Sequence, residues 1–302
     1  MNRVDASAAA LTTMPASLRW RLVLGVFKLR IGVLIMLTAI AGLAIVPGGS
    51  TTALQTLVLA LSVLVASASA GAFNQFIEAD SDRLMARTRS RAFASGALPR
   101  SGAWLLLMVA MLLLAVAAAA WWLNGVSAGF VLLGALTYAL VYTVGLKRRT
   151  PWNIVIGGLA GSFAVLAGAA AAEPQLGPQA LLLALILFLW TPPHFWSLAI
   201  ANHEQYAAAG VPMLPVVVGT ARAAQIVHFS AVALVAVSLL PLAFGAGWAY
   251  GLGAVVGGAH FLRKTWALAR EPVRGRAMAS FFASMLQLSA LIFGVWVDAA
   301  LR

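Results

Sequence analysis

Nine long apolar stretches limit the folds that this sequence can adopt. A helix needs about 20 apolar residues to cross the hydrocarbon core of a bilayer. Stretches near this length lie at residues 31–47, 53–73, 102–123, 127–146, 153–172, 179–199, 223–244, 246–263 and 277–297. Only 9% of the 302 residues are charged, against about 25% in a typical soluble domain. The sequence therefore predicts an all-α, polytopic integral membrane protein with nine transmembrane helices.

The basic residues predict the orientation of this bundle. With nine crossings, every Lys and Arg side chain except Arg302 falls on the same side of the membrane. Because positive charge concentrates in cytoplasmic loops, we expect a cytoplasmic N-terminus and an external C-terminus. The concentration of Lys and Arg on one side of the membrane also explains the net charge of +12. We therefore expect the lipid bilayer as a partner and no nucleic acid. We expect a single membrane domain over residues 1–302, with a cytoplasmic segment at 1–26 and the bundle at 27–302.

A polar segment directly follows the second apolar stretch. Asn74, Glu78 and Asp82 are spaced four apart, so on a continuous helix they would share one face near a membrane surface. Mg²⁺ prefers oxygen ligands and commonly binds through one or two carboxylates and substrate phosphates. Arg87 and Arg91 follow at the same spacing and could hold phosphate oxygens. The segment predicts a site for a diphosphate with Mg²⁺; the alternatives are a solvated helix end and Arg contacts with anionic lipid.

A pair of prolines interrupts the sixth apolar stretch. Pro192 and Pro193 remove backbone hydrogen bonds and are expected to kink the helix. His194 would then lie among aromatic side chains that include Trp190 and Trp196. Three interpretations of His194 stay open: a buried side chain bonded to a freed carbonyl, an axial ligand of heme iron, and a polar contact to a ring-shaped substrate.

Three consecutive cations, Lys147 to Arg149, end the fourth apolar stretch. Such a cluster is most often a topology signal. Lys147 gains a further role only if the bundle brings it beside the acids of the polar segment. Asn153 opens the next stretch and could cap its helix.

A second polar segment follows the sixth apolar stretch, in the same position relative to its stretch as the polar segment that follows the second. It carries Glu204 and precedes Pro212, so it is also acidic and also followed by proline. This similarity suggests two half-sites that face each other across one cavity.

At these motifs the sequence resembles the intramembrane aromatic prenyltransferases, and within them the protoheme IX farnesyltransferase (heme O synthase) family. The resemblance covers residues 27–298. It is carried by Asn74-Gln75 with Glu78, Asp82, Met85, Arg87-Thr88 and Arg91, by residues 146–150 with Asn153 and Gly157-Gly158, by Trp190 with Pro193-His194-Phe195-Trp196, and by Tyr206, Ala209-Gly210 and residues 212–217. The first string is typical of the superfamily. The Pro-His-Phe-Trp and Pro-Met-Leu-Pro strings point to the heme branch.

The resemblance implies a nine-helix bundle whose central cavity opens near the cytoplasmic face and laterally to lipid. It also implies roles for particular side chains. These are Asn74, Glu78, Asp82 and Glu204 as catalytic residues and Mg²⁺ ligands, Arg30, Arg87, Arg91, Lys147 and Asn153 around the diphosphate, and His194, Trp190 and Trp196 at the heme.

The activity that the resemblance implies is Mg²⁺-dependent transfer of a farnesyl group from farnesyl diphosphate to the 2-vinyl group of heme b. The products would be heme O and diphosphate, made in the bacterial inner membrane, with contact to heme A synthase or terminal oxidase assembly. One alternative is prenylation of an aromatic quinone precursor. An alternative of another class is a transporter or heme-handling assembly factor without catalysis, since intramembrane acids and Pro-broken spans also occur in transporters.

The sequence departs from the family pattern at several positions. Gln205 stands where the family usually has Asp, and Asn202 stands where it has a basic residue. Leu29 and Ala92 stand where the family usually has Pro, and residues 163–165 occupy the region where it usually has a Pro-Pro pair. The change at 205 leaves Glu204 as the one carboxylate of the second motif, so the diphosphate and water would supply more of the metal ligands.

Overall fold

A computed structural model describes residues 16–49 and 51–302 of the chain. Within these residues all regular elements are helical, as the sequence predicts. Seven of the described helices are long and apolar enough to cross a membrane. The protein is therefore a multi-pass membrane protein. Residues 1–15 of the predicted cytoplasmic segment lie outside the described residues.

The first two helices form a bent pair. Helix α1 spans Ala16–Val26 and α2 spans Leu29–Ala44, and the bend between Trp20–Val26 and α2 is 46°. Lys28 at the junction has φ 48° and ψ 41°, a left-handed conformation that is uncommon for a residue with a Cβ. With 16 residues, α2 is short for a full crossing. The predicted span at 31–47 therefore reaches the length and hydropathy of a crossing only when α2 is taken together with α1.

The remaining helices follow the predicted apolar stretches closely. They are α3 Ala53–Ile77, α4 Ala79–Asp82, α5 Ala92–Ser95, α6 Gly102–Trp122, α7 Gly125–Leu136 continued by a π-helix Thr137–Leu146, α8 Asn153–Gly157, α9 Leu159–Ala172, α10 Pro178–Ala201, α11 His203–Ala208, α12 Leu214–Val218, α13 Thr220–Leu239 continued by a 3₁₀ turn Leu240–Phe244, α14 Trp248–Arg270 and α15 Arg274–Ala300.

The predicted eighth span, at 246–263, corresponds to α14. This helix has 23 residues, but its second half carries Arg263, Lys264 and Arg270. It is not among the seven apolar helices found in the described residues, so the count of nine crossings stays a prediction.

Helices α2 and α9 pack with their backbones in direct contact. A Cβ atom at Gly168 would stand 1.8 Å from the carbonyl oxygen of Ala39, and one at Gly42 would stand 2.1 Å from that of Val165. Small residues allow such an approach, which is a common source of helix association in membranes. The contact fixes α2 against the centre of the bundle.

Helices α14 and α15 are joined by a buried carboxylate. Asp298 is 6% exposed and accepts hydrogen bonds from the backbone N–H groups of Ala249 and Tyr250, each at 3.1 Å. These N–H groups lie in the first turn of α14, where a helix has free donors and a favourable dipole for an anion. Asp298 therefore caps α14 from a neighbouring helix.

We expect Gly168→Ala to lower the free energy of unfolding by about 2 kcal/mol, because the added methyl group forces α2 and α9 apart. Gly161→Ala is the matched control on the same helix, since a Cβ there meets nothing within 4 Å. Thermal unfolding in detergent would measure both variants. Equal stability of the two variants would contradict the backbone contact.

Candidate active site

The polar segment begins at the end of α3 and runs through a break in the helix. Helix α3 ends at Ile77, Glu78 forms the break with φ −88° and ψ 4°, and α4 continues to Asp82. The expected stripe on one continuous helix is therefore interrupted at its middle residue. Asn74, Glu78 and Asp82 are nevertheless all buried, with exposures of 2%, 3% and 1%.

Each of the two acids pairs with a cation from elsewhere in the chain. Lys147 Nζ lies 2.5 Å from Glu78 Oε2, and Arg91 Nη1 lies 2.7 Å from Asp82 Oδ2. A buried carboxylate without such a partner would be strongly disfavoured. The bundle thus meets the condition under which Lys147 takes part in this site.

Lys28 also belongs to this polar cluster, although its place in the sequence predicts only a topology signal. Its Nζ donates to Asn74 Oδ1 at 2.5 Å and lies 3.3 Å from the hydroxyl of Tyr138. The amide of Asn74 in turn donates to Thr143 Oγ1 at 2.9 Å. No local sequence pattern predicts these contacts, because Lys28 and Asn74 are 46 residues apart.

The π-helix places Lys147 beside Glu78. Its wider turn is closed by the hydrogen bond from the Lys147 N–H to the carbonyl oxygen of Tyr142, 2.9 Å long and five residues back. Short π-helical segments are frequent at functional sites. Two tyrosine rings stack within this segment, Tyr138 on Tyr142, with centroids 5.6 Å apart.

Asn153 supports this turn and does not act as a helix cap. Its Nδ2 donates to the carbonyl oxygens of Lys147 at 3.3 Å and Thr150 at 2.7 Å. The N-cap of α8 is Trp152, with no side-chain cap bond, so the predicted cap at Asn153 is wrong. Asn153 holds the backbone that carries Lys147.

A cavity of about 940 Å³ extends from these groups into the bundle. Most of its lining is apolar and comes from α2, α3, α7 with its π-helix, α9, α10 and α15. One end is polar and is lined by Lys28, Asn74, Asp82, Arg87, Arg91 and Lys147. The cavity therefore offers an anion-binding end and an apolar body.

His194 lies in the wall of the same cavity. Helix α10 continues through both prolines, and the imidazole stacks between Trp190, at a centroid distance of 4.1 Å, and Phe281, at 4.4 Å. Its Nδ1 lies 2.7 Å from Ser284 Oγ. Trp190 also lines the cavity, whereas Trp196 is 2% exposed and packs in a cluster with residues such as Leu214.

The second predicted half-site contributes less than the first. Glu204 on α11 is exposed and does not line the cavity, whereas Tyr206 does. The departures at 202 and 205 contact each other, with Gln205 Nε2 3.3 Å from Asn202 Oδ1. In the described part of the chain no three His, Asp or Glu side chains group together as a metal site. Arg30 is exposed and also lies outside the cavity lining.

Paired buried acids and cations lie at the end of an apolar cavity within a bundle of membrane helices. This arrangement suits a substrate with an anionic head and an apolar body. Residues 35–286 match the model of the UbiA prenyltransferase family, and the chain belongs to this family.

Relatives match nearly the whole chain. It is 52% identical over 273 residues to protoheme IX farnesyltransferase 2 of Paramagnetospirillum magneticum, with 90% of this chain and 95% of the relative covered. It is 38% identical over 287 residues to protoheme IX farnesyltransferase of Marinobacter nauticus, with 95% of each chain covered.

Solved structures share the fold. A digeranylgeranylglyceryl phosphate synthase is similar with a TM-score of 0.77 at 19% identity, covering 94% of this chain and 99% of its own. A UbiA homolog from Archaeoglobus fulgidus bound to DMAPP and Mg²⁺ is similar with a TM-score of 0.65 at 15% identity, covering 89% and 99%. At these identities the likeness concerns the fold alone.

We expect Lys147→Met to cost about 3 kcal/mol of stability, because it leaves the Glu78 carboxylate buried without a cation. The double variant Lys147→Met/Glu78→Met should recover most of this loss, and Arg148→Met, at an exposed neighbouring cation, should cost little. Thermal unfolding in detergent would compare them. Equal losses for Lys147→Met and Arg148→Met would contradict the pairing.

Proposed function

We propose that the protein transfers the farnesyl group of farnesyl diphosphate to the 2-vinyl group of heme b, giving heme O and diphosphate. The observation that carries this proposal is the polar cluster at one end of a cavity of about 940 Å³, a size suited to a small-molecule site. Relatives named protoheme IX farnesyltransferase, matched over 90% or more of this chain, support heme as the acceptor.

Four cations are available to the diphosphate. Lys28, Arg87, Arg91 and Lys147 line the polar end of the cavity. Negative charge grows on the diphosphate as its bond to the farnesyl C1 breaks, and cations placed beforehand at that position lower the barrier. We add Lys28 to the set implied by the resemblance, while the role of Arg30 stays a prediction.

The acids fit an Mg²⁺ ion. In the described structure Asp82 Oδ1 is buried without a hydrogen-bond partner, and the neighbouring donors of Asn74 and Glu78 are oxygens, which Mg²⁺ prefers. Asn74 and Asp82 line the cavity and Glu78 is buried in the same segment, so these three residues would hold the ion, whereas Glu204 is exposed on α11. When bound, Mg²⁺ would supply positive charge to the diphosphate oxygens.

The apolar body of the cavity suits the rest of the reaction. The farnesyl C1 carries positive charge until it bonds to the terminal carbon of the vinyl group, and apolar walls keep water from trapping it. An aromatic side chain in the cavity wall, such as Phe195, can stabilise that charge. One water then adds to the remaining cationic carbon and loses a proton, which gives the hydroxyl group of heme O.

The acceptor would be held by His194 through the iron of heme b, with Trp190 beside it. This proposal is supported by the position of both side chains in the cavity wall. Trp196, predicted as a third contact, is buried elsewhere. The cavity wall includes exposed apolar residues of α2 and α15, such as Ile31 and Phe293, which supports entry of both substrates from the lipid.

We further propose nine crossings of the bacterial inner membrane, with the N-terminus in the cytoplasm and the C-terminus outside. The bent pair α1–α2 and helix α14 would complete the seven apolar helices. The distribution of Lys and Arg supports this orientation. Delivery of the product to heme A synthase or to terminal oxidase assembly would take place in the same membrane.

The decisive experiment incubates the purified protein in detergent with heme b, farnesyl diphosphate and Mg²⁺, and identifies hemes by chromatography and mass. We expect heme O, abolished by EDTA and strongly reduced in Asp82→Asn and Glu78→Gln. In a parallel incubation with 4-hydroxybenzoate as the acceptor, a prenylated product, with no heme O formed from heme b, would instead indicate an aromatic acceptor. Heme movement across the membrane of vesicles that contain the protein, without any release of diphosphate, would indicate a transporter.

A second test separates Lys28 from Arg30. We expect Lys28→Gln to lower the rate of heme O formation about a hundredfold, because it removes a donor aimed at the growing charge. Arg30→Gln, two residues away and exposed, should stay within about twofold of the unaltered protein. An equal or larger loss in Arg30→Gln than in Lys28→Gln would reject the assignment.

A further inference from the structure

A chain of hydrogen bonds links α10 to α15 beside the cavity. His194 Nδ1 lies 2.7 Å from Ser284 Oγ. Ser284 Oγ lies 2.6 Å from the carbonyl oxygen of Phe281, to which it donates. His194 is 7% exposed and Ser284 is 0% exposed, so bulk water does not compete for these bonds.

This chain determines where the imidazole proton lies. A carbonyl oxygen can only accept a hydrogen bond, and a serine hydroxyl has one proton to donate. When the Ser284 hydroxyl donates to the carbonyl oxygen of Phe281, Ser284 Oγ accepts from His194 Nδ1–H, an arrangement that gives each of the two protons its own acceptor. A neutral imidazole has a single N–H, so Nε2 of His194 carries a lone pair.

Three aromatic rings surround His194, and Phe195 meets it edge-on at a centroid distance of 5.2 Å. Trp190 and Phe281 stack on the two faces with interplanar angles of 19° and 27°. The imidazole therefore has no free face on which a planar substrate could stack. Among the described residues the hydrogen bond of the imidazole is made through Nδ1, and His194 lines the cavity.

Ser284 also holds one of these rings. Its backbone carbonyl oxygen accepts a hydrogen bond from Trp190 Nε1 at 2.8 Å. One residue of α15 thus fixes both the protonated nitrogen of His194 and the ring stacked on it.

We propose that Ser284 is a positioning residue that keeps the proton of His194 on Nδ1 and presents the lone pair of Nε2 to the iron of heme b. The inference rests on the proposed function, because it takes heme b as the ligand. Residues that hold the second nitrogen of an iron- or zinc-bound histidine typically change affinity or activity 10- to 100-fold when altered.

The chain offers a matched control for Ser284. Ser280 lies one turn earlier on α15, is also 0% exposed, and contacts Ser197 Oγ at 2.8 Å. Ser197 in turn donates to the carbonyl oxygen of Pro193 at 2.7 Å. The Ser280 contact therefore joins the same two helices without a histidine.

The test titrates ferric heme b into the full-length protein in detergent and records absorption and EPR spectra. We expect Ser284→Ala to weaken heme b binding about 10- to 100-fold and to diminish the signature of an iron-bound imidazole. Ser284→Thr, which keeps the hydroxyl, should retain the signature and most of the affinity. Ser280→Ala should match the unaltered protein in both readouts.

A double variant shows whether Ser284 acts through His194. We expect His194→Ala and His194→Ala/Ser284→Ala to bind heme b equally weakly. A further loss in the double variant, or an unchanged signature in folded Ser284→Ala, would overturn the inference.

Failure of the inference can be told apart from failure of the proposed function. Heme O formation by a protein whose bound heme lacks the imidazole signature would remove only the role of Ser284 and His194. A folded protein that binds no heme b and forms no heme O would remove both.

Discussion

Charge buried in a membrane bundle must be paired, and the polar end of the cavity is built to satisfy this requirement. Three departures from regular helix geometry occur there: the break at Glu78, the π-helix before Lys147 and the left-handed Lys28. A strained backbone conformation costs about 1–3 kcal/mol, whereas a buried charge that loses its partner costs about 3–5 kcal/mol. The bundle accepts irregular backbone at the π-helix and at Lys28 because each of these two irregularities brings a cation to an acid or an amide.

The apolar part of the structure meets a different requirement. Its helices must pack closely around a cavity that stays open. Gly42 and Gly168 let α2 and α9 meet at their backbones, and hydroxyl groups of α15 bond across to α10. These contacts hold the walls without filling the cavity. Rigid walls matter for the proposed chemistry, since a cavity that collapsed or filled with water would not protect a carbocation.

Much of the fold could be predicted from the sequence because hydropathy and length are local properties. Seven of the nine predicted spans coincide with helices able to cross a membrane. The site was harder to predict. Asn74, Glu78 and Asp82 were found from their spacing, but Lys28 lies 46 residues from Asn74, and a change from α- to π-helix leaves no trace in hydropathy. The sequence around Ser284 does not distinguish it from other small residues of α15, because its contact with His194 depends on the packing of α10 against α15.

The ion pair between Glu78 and Lys147 joins residues 69 positions apart, and this separation has a consequence for biogenesis. At a synthesis rate of about 5–20 residues per second, Lys147 leaves the ribosome roughly 3 to 14 seconds after Glu78. During that interval the carboxylate has no partner and is best accommodated in water at the membrane surface. The order of translation therefore imposes an order on assembly, in which α3 enters the membrane first and its polar end closes only when the π-helix arrives.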